Sequence, residues 1–358
     1  MMKNVPKRAT AVIAALDAVA LLPLGAHALE RVGPNDPTNG FPRWFQDSTG
    51  ITLDLCVPQT AAEAPWCNMA LDPGVTIPEQ FPENWSVEHF YWMGETSIVN
   101  ANLDAGLIMG VESTFSTDAA DPGAQITFAR IRWDLRDRPA GTCRVYTPYI
   151  VKEFTHTDGG ARFRYVEDLG ANCAVGSFDC TVTDGNIDLF LLPSADGNPG
   201  GPERPWDTSF LGPTGRRYIA NPTVPVAVTG IRLEPFTDVE GNLHDPNTFL
   251  IERISGTPAV LGFTTSFTIM GRLFEGTIVA DAKVDRASYA SDGAGNQVDV
   301  YASGFPARPA RTPGDTIVTN PTFPTIGFYS APCEGEAPGF SAPAGLNAVP
   351  LARTGSVY

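Results

Sequence analysis

Apolar residues at every second position, in short runs broken by glycine and proline, constrain the fold of this 358-residue chain more than any other feature. Thr127, Ala129, Ile131, Trp133 and Leu135 alternate with Arg130, Arg132, Asp134 and Arg136, so one face is apolar and the other charged. That is the pattern of a strand with one side on a core. Leu103, Ala105, Leu107, Met109, Val111 and Phe115 repeat it against Asp104, Gly106, Gly110 and Glu112. Leu103, Leu107, Val111 and Phe115 also fit helical spacing, but two internal glycines and the lack of caps favour a strand. Similar runs lie at 143–149, 162–166, 187–191, 224–228, 249–254, 267–273 and 298–302. Turn residues separate them, notably Asp158-Gly159-Gly160, Asp184-Gly185, Glu240-Gly241-Asn242 and Asp292-Gly293. With 35 Gly and 32 Pro and no long helical pattern after the first thirty residues, the expected class is all-β. The architecture it predicts is an antiparallel β-sandwich, immunoglobulin-like or jelly-roll-like.

The organisation follows from where the alternation begins and ends. Residues 29–90 read as an irregular segment dense in Pro, Asn, Asp and Gly, with only 51–55 strand-like. The main sandwich spans 91–276, interrupted at 194–225 by a Pro-, Gly- and Arg-rich stretch expected to be a functional loop or a covering flap. Residues 277–358 read as a small immunoglobulin-like unit opened by a hairpin of 278–289 and 297–303. Its later strands, 323–329 and 351–358, are weak, and Tyr358 falls inside one of them. Either the sequence is truncated relative to its gene, or the unit closes with a terminal edge strand.

The N-terminus reads as a secretory signal. Lys3, Lys7 and Arg8 precede a mostly apolar stretch from Ala9 to Leu24, and Ala26-His27-Ala28 offers a cleavage site before Leu29. Asp17 and Pro23 interrupt the apolar run, so no permanent membrane span is expected. Export to the periplasm, the cell surface or the medium places the six cysteines in an oxidising compartment. Proximity pairs Cys56 with Cys67 and Cys173 with Cys180, leaving Cys143 for Cys333 among fifteen formal connectivities. A net charge of −16 opposes nucleic acid and anionic membranes as partners. An extracellular protein or polysaccharide is the expected partner.

One segment carries a resemblance. Gly40-Phe-Pro-Arg-Trp-Phe-Gln-Asp-Ser-Thr-Gly-Ile-Thr-Leu-Asp-Leu-Cys56 resembles the opening of a group of uncharacterised exported bacterial proteins, in which such a run precedes a β-rich body. Phe128-Ala-Arg-Ile-Arg132, Tyr146-Thr-Pro-Tyr149 and Phe267-Thr-Ile-Met-Gly271 resemble pieces of that body. The resemblance implies an exported, β-rich surface or extracellular protein and supplies no catalytic residue.

Motifs argue against several chemistries. The chain has no G-x-S-x-G, no H-E-x-x-H, no G-x-x-x-x-G-K-[ST] and no C-x-x-C, and only His89, His156 and His244 follow the signal. No catalytic residue and no cofactor are indicated. Structural calcium has three oxygen-rich candidates: Asp184, Asn186 and Asp188; Asp238, Glu240, Asn242 and Asp245; Asp292, Asn296 and Asp299. Asp and Asn are equally the residues that build turns. Trp44, Trp66 and Trp206 sit in Pro-rich stretches, where they could form a platform for sugar rings or pin loops to the body. Trp133 is expected in the core. Two functions therefore remain: an exported structural, adhesive or binding protein without catalysis, or a carbohydrate-binding module or glycoside hydrolase using loop aromatics and acidic residues.

Overall fold

The computed structural model describes residues 29–68, 72–117, 119–136, 138–157, 162–231, 233–278 and 309–318, together with the backbone of four further strands. The expected signal peptide lies outside the described residues. The chain is almost all β. Three short strands, β1 (Arg31–Val32), β2 (Trp44–Gln46) and β3 (Thr52–Asp54), precede the long β4 (His89–Asn100), β5 (Leu103–Phe115) and β6 (Gln125–Arg136). Then come β7 (Gly141–Tyr146), β8 (Val151–His156), β9 (Phe163–Leu169), a one-turn helix α1 (Asp179–Thr183) and β10 (Leu192–Pro193). β11 (Val226–Thr229), β12 (Phe236–Thr237), β13 (Leu243–His244), β14 (Phe249–Arg253), β15 (Ala259–Thr264) and β16 (Ser266–Leu273) complete the main body. β17 (Asp281–Asp292) pairs with β18 (Gly295–Phe305), and β19 (Thr325–Phe328) with β20 (Asn347–Pro350).

Two antiparallel sheets face each other. The larger runs β1-β2-β3-β16-β4-β5-β6-β9, with β11 and β10 attached beside β16, and curls into a half-barrel. The smaller runs β15-β14-β7-β8. The chain leaves the large sheet after β6, makes β7 and β8 in the small one, and returns as β9 beside β6. β15 and β16 switch sheets across one residue, as strands do at sandwich corners.

Alternation places the core as expected. Leu103, Ala105, Leu107 and Met109 of β5 and Ala129, Ile131, Trp133 and Leu135 of β6 are buried, facing Val145, Phe249 and Ile251 of the small sheet. Trp133 stacks on Tyr165 at 4.0 Å, and Phe154 on Phe163 at 4.2 Å joins β8 to β9 between the sheets. Trp92 lies 5.9 Å from both Tyr149 and Phe190 at the centre.

β4 breaks the simple pattern. A register shift between Phe90 and Trp92 inserts Tyr91, and the strand is buried on both faces where the loop from Cys56 to Cys67 covers it. The N-terminal segment thus does two jobs: β1–β3 extend the large sheet, and the loop lies on its outer face. There Cys56, Cys67, Phe90, Met93, Tyr218 and Met270 form a second small core. The interruption at 194–225 is a covering flap, with Tyr218 and Ile219 buried and Ile219 N–H donating to Gly271 O at 2.9 Å.

Residues 187–191, expected as a strand, are buried but unladdered, and only β10 follows as a strand. Side chains satisfy their backbone instead. Tyr149 donates its hydroxyl to Leu189 O at 2.6 Å, and Phe190 N–H donates to Asp47 Oδ2 at 3.3 Å. The hairpin expected from 278–303 is formed as β17–β18, whereas 351–358 lies outside the described residues. Residues 309–318 return to the main body, where Arg311 pairs with Glu203 and donates to Thr49 O and Oγ1.

Cys56–Cys67 and Cys173–Cys180 are disulfides. Cys143 is buried on β7 with no disulfide partner among the described residues, and Cys333, its expected partner, lies outside them. Among the described residues, no helix is long and apolar enough to cross a membrane.

Candidate functional site

The tryptophans singled out from sequence serve as pins. Trp44 is buried against Phe274, with Arg31 over its ring. Trp66 packs on Tyr218 at 5.0 Å. Trp206 is half-buried, donates Nε1–H to Tyr218 O at 3.1 Å and carries Arg217 on its face. The three do not assemble into one platform.

The oxygen-rich turns are occupied by their own N–H groups. Asp238 accepts from the backbone of Glu240 and Asn242 at 2.9 Å each and contacts His244 Nε2 at 2.7 Å. Asp245 accepts twice from Asn247. Asp184 accepts from Thr183, Asn186 donates to Glu167, and Asp188 has interactions of its own. Asp184 lies beside Cys173 and Cys180, but those sulfurs are bonded to each other at 2.00 Å and offer no thiolate to a metal. The side chains of Asp292, Asn296 and Asp299 lie outside the description.

The histidines are likewise committed. His89 is buried and contacts Glu79 Oε2 at 3.0 Å, with Trp85 on its ring. The strand pairing of β7 with β8 brings His156 Nε2 to 3.8 Å from Cys143 Sγ, a juxtaposition that spacing alone does not reveal. Burial pushes the Cys143 thiol up, away from the thiolate a nucleophile needs.

The open face of the large sheet holds a different arrangement. The register lines up Thr268, Glu95, Ile108, Arg132 and Val166 as one rung across β16, β4, β5, β6 and β9. The adjacent rung is Ser97, Gly106, Asp134 and Arg164. Over these rungs lies a groove of about 640 Å³, flanked by Pro225, Thr264 and Ser266. Its volume falls within the roughly 300–1,000 Å³ of small-ligand sites.

The charges on this face are mostly spoken for. Arg164 and Arg162 donate to Asp134 at 2.9 and 2.7 Å, and these bonds hold its carboxyl well below the usual carboxylate range. One rung beyond the groove, Arg130 serves three carboxylates: Glu112 at 2.8 Å, Glu88 at 3.1 Å and Asp168 at 2.8 Å. Burial pushes the Glu112 carboxyl up to about 8, and the charges of Glu88 and Asp168 push the same way against Arg130. Glu95 accepts from the Thr268 hydroxyl at 3.3 Å. The Arg132 side chain, half-buried in the groove, makes no hydrogen bond or ion pair among the described residues.

Sequence reasoning identified the charged face of β6 but not the groove. The signal was present, because Arg132 belongs to the alternating charged positions and Gly106 to the glycines inside β5.

No family model, no curated protein and no solved structure matches this chain.

Proposed function

We propose that this chain is an exported binding protein without catalytic activity, and that the groove on the open face of its large sheet is the contact site. One observation carries the reading. Arg130, Arg136, Arg162 and Arg164 all have carboxylate partners, while Arg132 between them presents its guanidinium to the groove unpaired among the described residues. A half-buried guanidinium without a partner costs desolvation that a ligand can offset. The groove adds hydroxyls and an apolar rung residue, Ile108, which suit reversible contact. The signal-like N-terminus and two disulfides support export.

A hydrolase would need two free carboxylates across the groove, and Asp134 is tied to two arginines. The test is to incubate the purified full chain with extracellular polymers and measure retention and turnover separately. Retention that falls in Arg132→Leu, without product release, is expected. Turnover abolished by a single acidic substitution would overturn the reading.

A further inference from the structure

Glycine in the middle of a strand weakens it by about 0.5–1 kcal/mol relative to alanine and calls for a local reason. The other glycines within β4, β5, β15 and β16 have one. A Cβ on Gly94 would meet Trp92 at 3.2 Å, on Gly110 Glu112 at 2.9 Å, on Gly262 Ile98 at 2.6 Å and on Gly271 Leu53 at 2.8 Å. Gly106 differs from all four. Its φ is ordinary, no bulge interrupts the pairing around it, and a Cβ there would meet nothing within 4 Å among the described residues. Neither backbone nor packing asks for glycine at 106. The space above it is the groove, and an absent side chain is what keeps the floor low.

The polar groups around that floor select the chemistry of an occupant. Glu95 and Arg132 flank Ile108 on one rung, about 10 Å apart as two inter-strand spacings. One is an acceptor and the other a donor. Between and beside them are hydroxyls that do both, Ser97, Ser266 and Thr268. An anionic ligand would meet Glu95, a cationic one would meet Arg132, and an apolar one would strip water from both and from the hydroxyls. A neutral chain bearing many hydroxyls meets none of these penalties. It can accept from Arg132, donate to Glu95 and lay its C–H surface on Ile108 and Pro225.

Resting on the assignment of the groove as contact site, we infer that its ligand is a neutral polyhydroxylated chain, a polysaccharide segment, and that Gly106 sets the clearance for it. Trp44, Trp66 and Trp206 do not line this groove.

The experiment is affinity electrophoresis and calorimetry of the purified full chain against dextran, mannan, galactan and a mixed-linkage β-glucan. Polygalacturonate and chitosan serve as anionic and cationic comparators. Retention by at least one neutral polymer is expected. Gly106→Leu should abolish that retention with a melting temperature no lower than the parent's, because a side chain there fills empty space. Arg132→Leu, on the solvent face and away from the core, should weaken it about tenfold, as loss of a hydrogen bond from a charged group does. Arg132→Lys should restore part of it. No retention on any neutral polymer overturns the inference. Retention only on a charged polymer, lost in Gly106→Leu, overturns the ligand class but leaves the groove as the site. Neutral-polymer retention unchanged in both Gly106→Leu and Arg132→Leu overturns the inference and the groove assignment together.

Discussion

Glu112 offers the sharpest test of the electrostatics beside the groove. Its side chain is 1% exposed and 2.8 Å from Arg130 Nη1. That guanidinium is also held by Asp168, 28% exposed, and Glu88, 43% exposed. One positive charge cannot neutralise three carboxylates, so the proton goes to the one least able to be solvated. Burial, the charges of Glu88 and Asp168 and a hydrogen bond shared with Glu88 all favour the neutral carboxyl of Glu112 over the carboxylate. Raising its pKa from 4.5 to about 8 corresponds to about 5 kcal/mol at 1.36 kcal/mol per pH unit. The sign follows from proton counts. Below pH 4.5 folded and unfolded chains both hold the proton. Between 4.5 and 8 only the folded chain does, so its stability falls as pH rises, and above 8 no further loss occurs. Glu112→Gln keeps the shape and removes the titration. Urea denaturation of both proteins at pH 5, 6.5 and 8 isolates the term, since other groups titrate in both. The stability of Glu112→Gln relative to the parent should climb by about 4 kcal/mol across that range. A difference that stays flat would mean that Glu112 is ionised throughout as the partner of Arg130 and would refute the neutral carboxyl.

Three further outcomes are expected. Arg311→Leu removes a side chain that is 5% exposed and binds Glu203 and Thr49, and should lower unfolding free energy by about 3 kcal/mol in urea. An unchanged midpoint would show that residues 309–318 do not brace the body. The double substitution Cys56→Ser and Cys67→Ser opens a loop with a sequence separation of 11 and should cost about 3 kcal/mol, read as a shift of the guanidinium midpoint. The loop also brings Glu63 to the Tyr218 hydroxyl at 2.8 Å, so a loss well below that value would count against its bracing role. Trp206→Ala leaves Tyr218 O without its donor at 3.1 Å and should destabilise by about 1–3 kcal/mol while groove binding is unchanged. Loss of binding with unchanged stability would reinstate Trp206 as a ligand platform.

The parts of the fold legible in the sequence are those where one face is wet and the other dry. β5 and β6 pair without a bulge, and over 103–109 and 129–135 buried and half-buried residues alternate strictly, so alternation reports them and names their buried residues. β4 escaped because Tyr91 breaks the parity and the disulfide loop dries its outer face. Residues 187–191 misled for the opposite reason. Their apolar run is buried, but Tyr149 and Asp47 take the backbone bonds that a neighbouring strand would otherwise make. Hydrophobic pattern reports burial, and ladder formation depends on partners that the local sequence does not contain.

The groove shows the same limit at the level of charge. Arg130, Arg132 and Asp134 are visible as the solvent face of β6, yet nothing local distinguishes the middle arginine. The distinction arises when the chain, after its detour through β7 and β8, returns as β9. Its outward residues Arg164, Val166 and Asp168 then fall opposite Asp134, Arg132 and Arg130. Two of those rungs are charge-complementary, and the third sets a valine against an arginine whose other neighbour, on β5, is Ile108. A register slip of one residue would turn the side chains of β9 to the other face, and the complementary pairs at Asp134 and Arg130 hold the register against it. The pairing that stabilises the sheet edge is therefore what leaves Arg132 unpaired. Replacing Val166 with Glu would give it a partner across the rung and should close the site without disturbing the sheet.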